Sequence, residues 1–307
     1  MKKIITLIIT LVSTLILFGC QGRSGYTYVE GKVNIVATTT MLGDLARQIG
    51  QDKVSVVNLM PVGVDPHLYQ AKASDTNALR KSDFILYNGL HLEGKMVDIL
   101  DGFKGKKTYV NVGEELEKAN APLLEWDGGD DKDPHVWFDV ENWIVAAKAL
   151  GRELALHDKT NEAFYKESTE AYILKLSELH TWIKQRVSEL KEEQRVLATA
   201  HDAFAYFARA YGFEVESIQG ISTDSEASTA DITRLVDTVI NKNIKAVFIE
   251  SSVPRKTIDS VISAAKSRGH QLVIGGELYS DSLGDGADSE YIQAVKTNVN
   301  IIVDALK

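Results

Sequence analysis

The feature that most constrains this sequence is one long helical pattern in the middle of the chain. Between residues 161 and 190, apolar side chains recur at spacings of three, four and seven, and the stretch contains no Gly or Pro. This spacing places the apolar side chains on one face of an α-helix. Because strand and helix patterns alternate on both sides of it, we expect a rigid helix that joins two lobes. The alternative is an ordinary long core helix.

Each half of the chain alternates short apolar runs with amphipathic stretches. Val33–Thr40 and Val54–Met60 are predicted strands in the first half, and Ala246–Glu250 is one in the second. Such alternation predicts parallel sheets that are covered by helices on both faces. The predicted fold class is therefore α/β with two lobes. Its divisions are an N-terminal lobe over 32–160, a linking helix over 161–192 and a C-terminal lobe over 193–307.

One stretch of the first half, residues 114–133, lacks this alternation. It is acidic, contains glycine and shows little periodicity, so we expect an exposed loop. The stretch has no histidine before position 135, so it is not a histidine-rich tract that scavenges metal ions.

The N-terminus differs from the rest of the chain. Two lysines precede an uncharged apolar run from Ile4 to Phe18, which is short for a membrane span and typical of a signal-peptide core. The following Leu17-Phe18-Gly19-Cys20 is similar to a lipobox, in which the cysteine is lipidated and becomes the mature N-terminus. We expect a signal peptide over 1–19, a lipid on Cys20 and a tether over 20–31. The alternative is an incidental cysteine after a plain signal peptide.

Cysteine count and charge narrow the classes of function. Cys20 is the only cysteine, so an intrachain disulfide is excluded and a thiolate metal site is disfavoured. The formal net charge is −9, and removal of residues 1–19, which carry two lysines and no acidic residue, makes it −11. This negative charge argues against nucleic acid as a partner and favours a small cation or a basic partner. The alternative is that the charge only keeps the protein soluble.

Two Asp-Pro-His tripeptides carry the chemistry that the sequence suggests. They end at His67 and His135, and in each the proline stiffens the backbone that leads into the imidazole. His201 follows a predicted strand, and Asp281 leaves another. Because open α/β sheets bind ligands beyond the carboxyl ends of their strands, we expect loops from the two lobes to converge there. Three imidazoles and one carboxylate would hold a divalent ion.

Acidic neighbours of these histidines are candidates for hydrogen bonds that fix the imidazole tautomer. These candidates are Asp65, Asp133, Asp202 and, at a strand end, Glu250. The other four histidines have simpler interpretations. His157 and His180 lie on helical stretches among charges and His270 lies in a turn, whereas His91, near a strand end, is the main rival ligand.

Several motifs together resemble one known family. They are the lipobox, both Asp-Pro-His loops, the long helix, Thr199–Phe204, Gly220–Asp224, Phe248–Glu250 and Gly276–Asp281. Over nearly all of residues 20–307, the chain resembles the manganese/zinc solute-binding lipoproteins of ABC importers, which have the TroA-like fold. The resemblance implies two α/β lobes joined by one long helix, with the metal between them. The family's first, second and fourth ligands fall on His67, His135 and Asp281. Its third, histidine or glutamate in different members, falls on His201.

The third ligand bears on the choice of metal. A nitrogen-rich site binds Zn²⁺ more tightly than Mn²⁺, following the Irving–Williams order. Against zinc, the chain lacks the histidine-rich loop common in dedicated zinc members, and its motifs are most similar to the manganese branch. We therefore expect Mn²⁺ first and Zn²⁺ second.

The resemblance implies capture and delivery of the ion rather than catalysis. We expect a monomer on the extracytoplasmic face of the bacterial membrane, which delivers its ion to an ABC permease and binds no nucleic acid. ATP hydrolysis would belong to a separate cytoplasmic subunit, since the chain has no GxxxxGK[ST] motif. Two alternatives remain at this point: a surface adhesin or scaffold, and a zinc hydrolase, which would use three protein ligands and an activated water.

Overall fold

The computed structural model describes residues 26–126 and 131–307, so the predicted signal peptide and Cys20 lie outside the described residues. The strands are β1 (Val33–Ala37), β2 (Val54–Asn58), β3 (Phe84–Tyr87), β4 (Thr108–Asn111), β5 (Val196–His201), β6 (Glu214–Gln219), β7 (Ala246–Glu250) and β8 (Val273–Leu278). The α-helices are α1 (Thr40–Gly50), α2 (Ala73–Lys81), α3 (Val97–Asp101), α4 (Val112–Lys118), α5 (Val140–His157), α6 (Glu162–Val187), α7 (Ala205–Tyr211), α8 (Thr229–Asn241), α9 (Lys256–Ser267) and α10 (Tyr291–Leu306). Among these helices, none has the length and apolar character that a membrane crossing requires.

The N-terminal lobe contains one four-stranded parallel sheet. Its strand order is β2-β1-β3-β4, with Val33 opposite Val54 and Phe84 opposite Thr108. The two central strands, β1 and β3, are buried along their whole length, as expected for strands covered on both faces. All four strands run the same way, so their carboxyl ends meet at one edge of the sheet.

The C-terminal lobe contains two parallel pairs, β5-β6 and β7-β8. Glu250 ends β7, and one of its carboxylate oxygens, Oε1, accepts the backbone N–H groups of Ala200 and His201 at 2.8 and 2.9 Å. A side chain thus joins β7 to the end of β5. The parallel strands and flanking helices of both lobes confirm the predicted α/β class.

Helix α6 is the predicted long helix, and its buried side chains form the stripe that the sequence indicated. With 26 residues it is about 39 Å long. The buried stripe consists of Tyr165, Tyr172, Leu176, Leu179, Ile183 and Val187. These side chains belong to one continuous core that also contains residues of β1, α5 and α10. The helix therefore packs against both halves of the chain, while the lobe boundaries themselves stay a prediction.

The prediction of a loop over 114–133 was wrong at its start, where helix α4 lies. The Asn111 side chain caps this helix by accepting the backbone N–H of Glu114 at 3.2 Å, and Leu116 is fully buried. Acidic residues in a first helical turn are favoured because they face the positive end of the helix dipole. The acidic composition that suggested a solvated loop therefore stabilises the beginning of a helix.

Candidate metal centre

Four side chains singled out in the sequence meet between the two lobes. Atoms of His67, His135, His201 and Asp281 that can bind a metal ion all lie within 4.8 Å of one another, and all four residues are buried. The Nε2 atom of His135 is 3.3 Å from that of His67 and 3.4 Å from that of His201. The carboxylate of Asp281 places Oδ1 3.4 Å from His135 Nε2 and Oδ2 3.4 Å from His201 Nε2.

These separations have the size that a bound metal ion would impose. For tetrahedral coordination with bonds of about 2.1 Å, neighbouring ligand atoms lie about 3.4 Å apart. Three imidazoles that converge through their Nε2 atoms gain little from one another, because a neutral imidazole has only one N–H to donate and protonated imidazoles repel one another. The donor set, its spacing and its burial therefore fit one divalent transition-metal ion.

The two N-terminal histidines lie on loops rather than on strands. His67 lies in the loop between β2 and α2, and His135 immediately precedes a short 3₁₀ turn, Val136–Phe138, that leads into α5. In both loops the aspartate two residues earlier accepts the histidine backbone N–H at 2.9 Å. This local bond and the intervening proline stiffen each turn.

The two C-terminal residues follow strands directly. His201 is the last residue of β5, and Asp281 lies three residues after β8. Both strands run toward the lobe interface, so their carboxyl ends deliver the two side chains to the same point. This is the edge at which α/β sheets bind ligands.

Asp133 holds the imidazole ring of His135. Its Oδ1 atom lies 2.7 Å from His135 Nδ1, and both side chains are fully buried. Burial opposes the charged imidazole, but the Asp133 carboxylate, helped by Asp281, outweighs it and raises the pKa of His135 to about 9. This contact directs Nε2 toward the other three converging side chains, while the role of Asp133 in metal binding stays a prediction.

Glu250 holds His201 in the same way. Its Oε2 atom lies 2.5 Å from His201 Nδ1, while Oε1 binds the backbone at the end of β5. Burial opposes ionisation here too, yet Glu250 and then Asp281 raise the pKa of His201 well above its ordinary value. In turn, the two imidazoles hold the pKa of Asp281 well below its ordinary value against the effect of burial.

Asp65 behaves differently from Asp133. One of its oxygens accepts the backbone N–H of His67, and the other accepts the hydroxyl of Thr223 at 2.6 Å, where the sequence had suggested a bond to the imidazole. Burial, together with the neighbouring His135 and His201, lowers the pKa of His67 to about 3. Asp202 donates its backbone N–H to Gly220 O at 3.3 Å, and its role toward His201 stays a prediction.

The remaining histidines lie away from this group. His91 is exposed, with Nε2 3.6 Å from an Asp131 oxygen, so the rival ligand is not brought to the centre. The other three bond elsewhere: His157 to the Thr108 hydroxyl at 3.1 Å, His180 to the Tyr211 hydroxyl at 3.0 Å and His270 to the Ile244 carbonyl at 2.6 Å.

Sequence reasoning missed several residues that support the centre. Ser252 donates to Asp281 Oδ2 at 3.1 Å. Trp137 packs its ring edge-on against His135, at 5.3 Å between centroids, and donates its indole N–H to the Ser280 carbonyl at 3.0 Å. Ser252 lies two residues after Glu250, and Trp137 two after His135, so proximity to a predicted ligand or partner was the available signal.

Known proteins similar to this chain include two metal-binding proteins. Manganese-binding lipoprotein MntA from Bacillus subtilis (strain 168) is 40% identical over 299 residues, which cover 97% of each chain. Zinc-binding protein TroA from Treponema pallidum (strain Nichols) is 43% identical over 281 residues, or 90% of each chain. A solved structure of the periplasmic zinc-binding protein TroA from Treponema pallidum has a TM-score of 0.87 at 41% identity, covering 90% of this chain and 99% of that one.

A family model extends the similarity across almost the whole described structure. The model for the zinc-uptake complex component A, periplasmic, matches residues 35–305. This range includes both lobes, the long helix and all four converging side chains. The chain therefore belongs to the family of zinc-uptake complex component A, the TroA-like metal-binding proteins that its sequence motifs resemble.

Proposed function

We propose that this chain is an extracytoplasmic solute-binding protein that captures one divalent transition-metal ion and delivers it to an ABC importer. The ion would be held by His67, His135, His201 and Asp281. The observation that carries the proposal is the burial of these four donors within 4.8 Å of one another between two lobes. Family membership supports the same role, because relatives at 40 and 43% identity are named for manganese and zinc binding.

The cargo that we propose is Mn²⁺ first, with Zn²⁺ accepted by the same site. Three imidazoles favour Zn²⁺ in intrinsic affinity, so selection of Mn²⁺ would depend on which ion is available outside the cell. The sequence supports manganese through the absence of a histidine-rich loop, while the relatives at 40 and 43% identity, named for manganese and for zinc binding, support both ions.

A binding role explains the closed donor set better than hydrolysis does. A catalytic zinc ion keeps one coordination position open for water, whereas four protein donors here surround one point and are almost inaccessible. We accordingly propose that the chain is not an enzyme. It would act as a monomer anchored through a lipid on Cys20, and ATP would be hydrolysed by a separate cytoplasmic subunit beneath the permease.

Thermal unfolding of the metal-stripped mature chain, without its lipid, tests metal capture. Mn²⁺ and Zn²⁺ at a hundredfold excess over Kd should each add about 2.7 kcal/mol of stability, because they bind only the native state. Mg²⁺ and Ca²⁺ should add little. His67→Ala and Asp281→Ala should abolish the shift, and Asp259→Asn, at an exposed ion pair with Arg255, should retain it. Absence of a shift with both transition metals would overturn the proposal.

A further inference from the structure

One side chain connects a proposed metal ligand to the opposite lobe. Asp65 lies in the His67 loop of the N-terminal half, and Thr223 lies between β6 and α8 in the C-terminal half. The Thr223 hydroxyl donates to Asp65 Oδ2 at 2.6 Å, and Thr223 is buried. The other oxygen of the same carboxylate accepts the His67 backbone N–H at 2.9 Å. A single carboxylate therefore links Thr223 to the backbone of His67.

Two further contacts join the same parts of the molecule. The Gly63 N–H donates to the hydroxyl of Ser282, which follows Asp281, at 2.9 Å. Beside Thr223, Asp224 forms an ion pair with Lys95 of the N-terminal half at 3.0 Å. Lys95 and Asp224 are both substantially exposed, so solvent and salt weaken their attraction, whereas the Asp65–Thr223 bond is partly buried and therefore less screened.

The position of His67 depends on these contacts more than that of the other histidines. His135 and His201 have their rings fixed by buried carboxylates, and His201 is also part of a strand. His67 lies on a loop, and Asp65 reaches its backbone rather than its ring. Separation of the lobes would break the Asp65–Thr223 bond and release the turn that presents this imidazole.

We propose that Thr223 is a positioning residue that latches the two lobes through Asp65 and thereby slows release of the bound metal ion. The proposal rests on the proposed function, since it presumes that His67 is a ligand. His67 is 2% exposed and the other three donors are 0–1% exposed, so the ion cannot leave without movement of the lobes or loops. Breaking the latch is a step in that movement, and the latch therefore acts on the dissociation rate.

Thr223→Val is the direct test, because valine keeps the branched shape and replaces the hydroxyl with a methyl group that cannot donate a hydrogen bond. The protein is loaded with Zn²⁺, or in parallel with Mn²⁺, and mixed rapidly with excess chelator to measure the dissociation rate. Loss of one partly buried hydrogen bond should speed release by about tenfold. The association rate should change by less than about threefold, because the ion enters the open protein, in which the Asp65–Thr223 bond is broken in the wild type as well as in Thr223→Val. Thr223→Ser, which restores a hydroxyl, should return the rate to near the wild-type value.

A double-mutant cycle with Asp65→Ala separates a latch from a general loss of structure. If the two residues act through one bond, adding Thr223→Val to Asp65→Ala should not speed release further. The unfolding midpoint of metal-free Thr223→Val should stay close to that of the wild type. If it falls, Thr223→Ser, which keeps the hydroxyl, is the variant whose midpoint and release rate are compared with it.

Two results would overturn the latch. One is wild-type release from Thr223→Val, and the other is independent, multiplicative effects of the two substitutions. Either result would leave the proposed function intact, because both require a wild-type protein that binds the ion. Failure of the wild-type protein to bind Zn²⁺ or Mn²⁺ would instead contradict the proposed function.

Discussion

The two Asp-Pro-His loops begin alike and end differently. In both, the aspartate accepts the backbone N–H of the histidine at 2.9 Å. Asp133 then also binds the ring of His135, whereas Asp65 turns its second oxygen to Thr223 in the other half of the molecule. One tripeptide presents a rigidly held imidazole, and the other presents an imidazole whose position is coupled to the opposite lobe.

This difference shows that preorganisation is unequally distributed around the proposed metal centre. Asp133 and Glu250 contact the rings of His135 and His201 and raise the pKa values of these two imidazoles. His67 is kept neutral by burial and by the neighbouring His135 and His201, which together lower its pKa to about 3. We therefore expect substitutions in the two loops to have different effects on the stability of the protein, its affinity for the metal ion and the rate of metal release.

The largest difference should appear when the two histidines are removed from the metal-free protein. His135→Ala leaves the fully buried carboxylate of Asp133 without its imidazole partner, which should lower the free energy of unfolding by about 3 kcal/mol. His67→Ala leaves the Asp65–Thr223 bond in place and should lower it by about 1 kcal/mol or less. Urea unfolding in the presence of EDTA measures both values. Equal losses would contradict the contrast between the loops.

Removal of a ring-holding carboxylate should weaken metal binding without removing a ligand. Asp133→Asn and Glu250→Gln should each lower the affinity for Zn²⁺ by about 10- to 100-fold, because they leave the imidazole less basic and less firmly oriented. Competition with a chelating dye measures the affinity. The exposed Asp259→Asn is the matched control and should bind as the wild type does. An unchanged affinity in Asp133→Asn would show that the His135 ring needs no such partner.

The two histidines should also give opposite pH dependence in the metal-free protein. His67 has a folded pKa of about 3, below its ordinary 6.5, so its stability contribution is present above pH 6.5 and is lost as the pH falls. His135 has a folded pKa of about 9, so its contribution is present below pH 6.5 and is lost as the pH rises toward 9.

Unfolding at pH 7 and pH 5 tests the acid side of this contrast. His67→Ala should reduce the loss of stability between these pH values by about 1–2 kcal/mol, since the unfolded chain no longer gains that proton relative to the folded one. Leu156→Ala removes an exposed side chain that carries no charge and should leave the loss unchanged. A loss in His67→Ala as large as in the wild type would argue against the depressed pKa of His67.

The smallest effect should come from the exposed ion pair beside the latch. Lys95→Gln removes the partner of Asp224 and should speed metal release by no more than about threefold, because exposed pairs contribute little. The effect should vanish in 0.5–1 M salt, at which such charges are screened over about 3–4 Å. If Lys95→Gln released the metal ion as fast as Thr223→Val, the surface ion pair rather than the Asp65–Thr223 hydrogen bond would hold the lobes together.

Much of the fold followed from local patterns in the sequence. Strand β7 begins and ends where the apolar run predicted, and α6 buries the predicted stripe. The four converging side chains were singled out because each follows a strand or a stiff Asp-Pro turn, and such positions meet at a sheet edge. The comparisons confirm the family on which the metal-binding interpretation partly depended.

Sequence patterns could not predict contacts between segments that are far apart in the chain. Asp65 and Asp133 have the same spacing to their histidines, and only the position of Thr223, 158 residues away from Asp65, makes them differ. Helix α4 was missed for a related reason, since burial of Leu116 against the core decides its conformation and an acidic composition does not.

Trp137 gives the proposed metal centre an optical property. Its indole is buried, lies 5.3 Å from the His135 ring between centroids and bonds the carbonyl that precedes Asp281. Indole fluorescence responds to nearby charge, and a paramagnetic ion such as Mn²⁺ adds a quenching route that Zn²⁺ lacks. We therefore expect the fluorescence of Trp137 to respond to occupancy of the centre and to be quenched more by Mn²⁺ than by Zn²⁺.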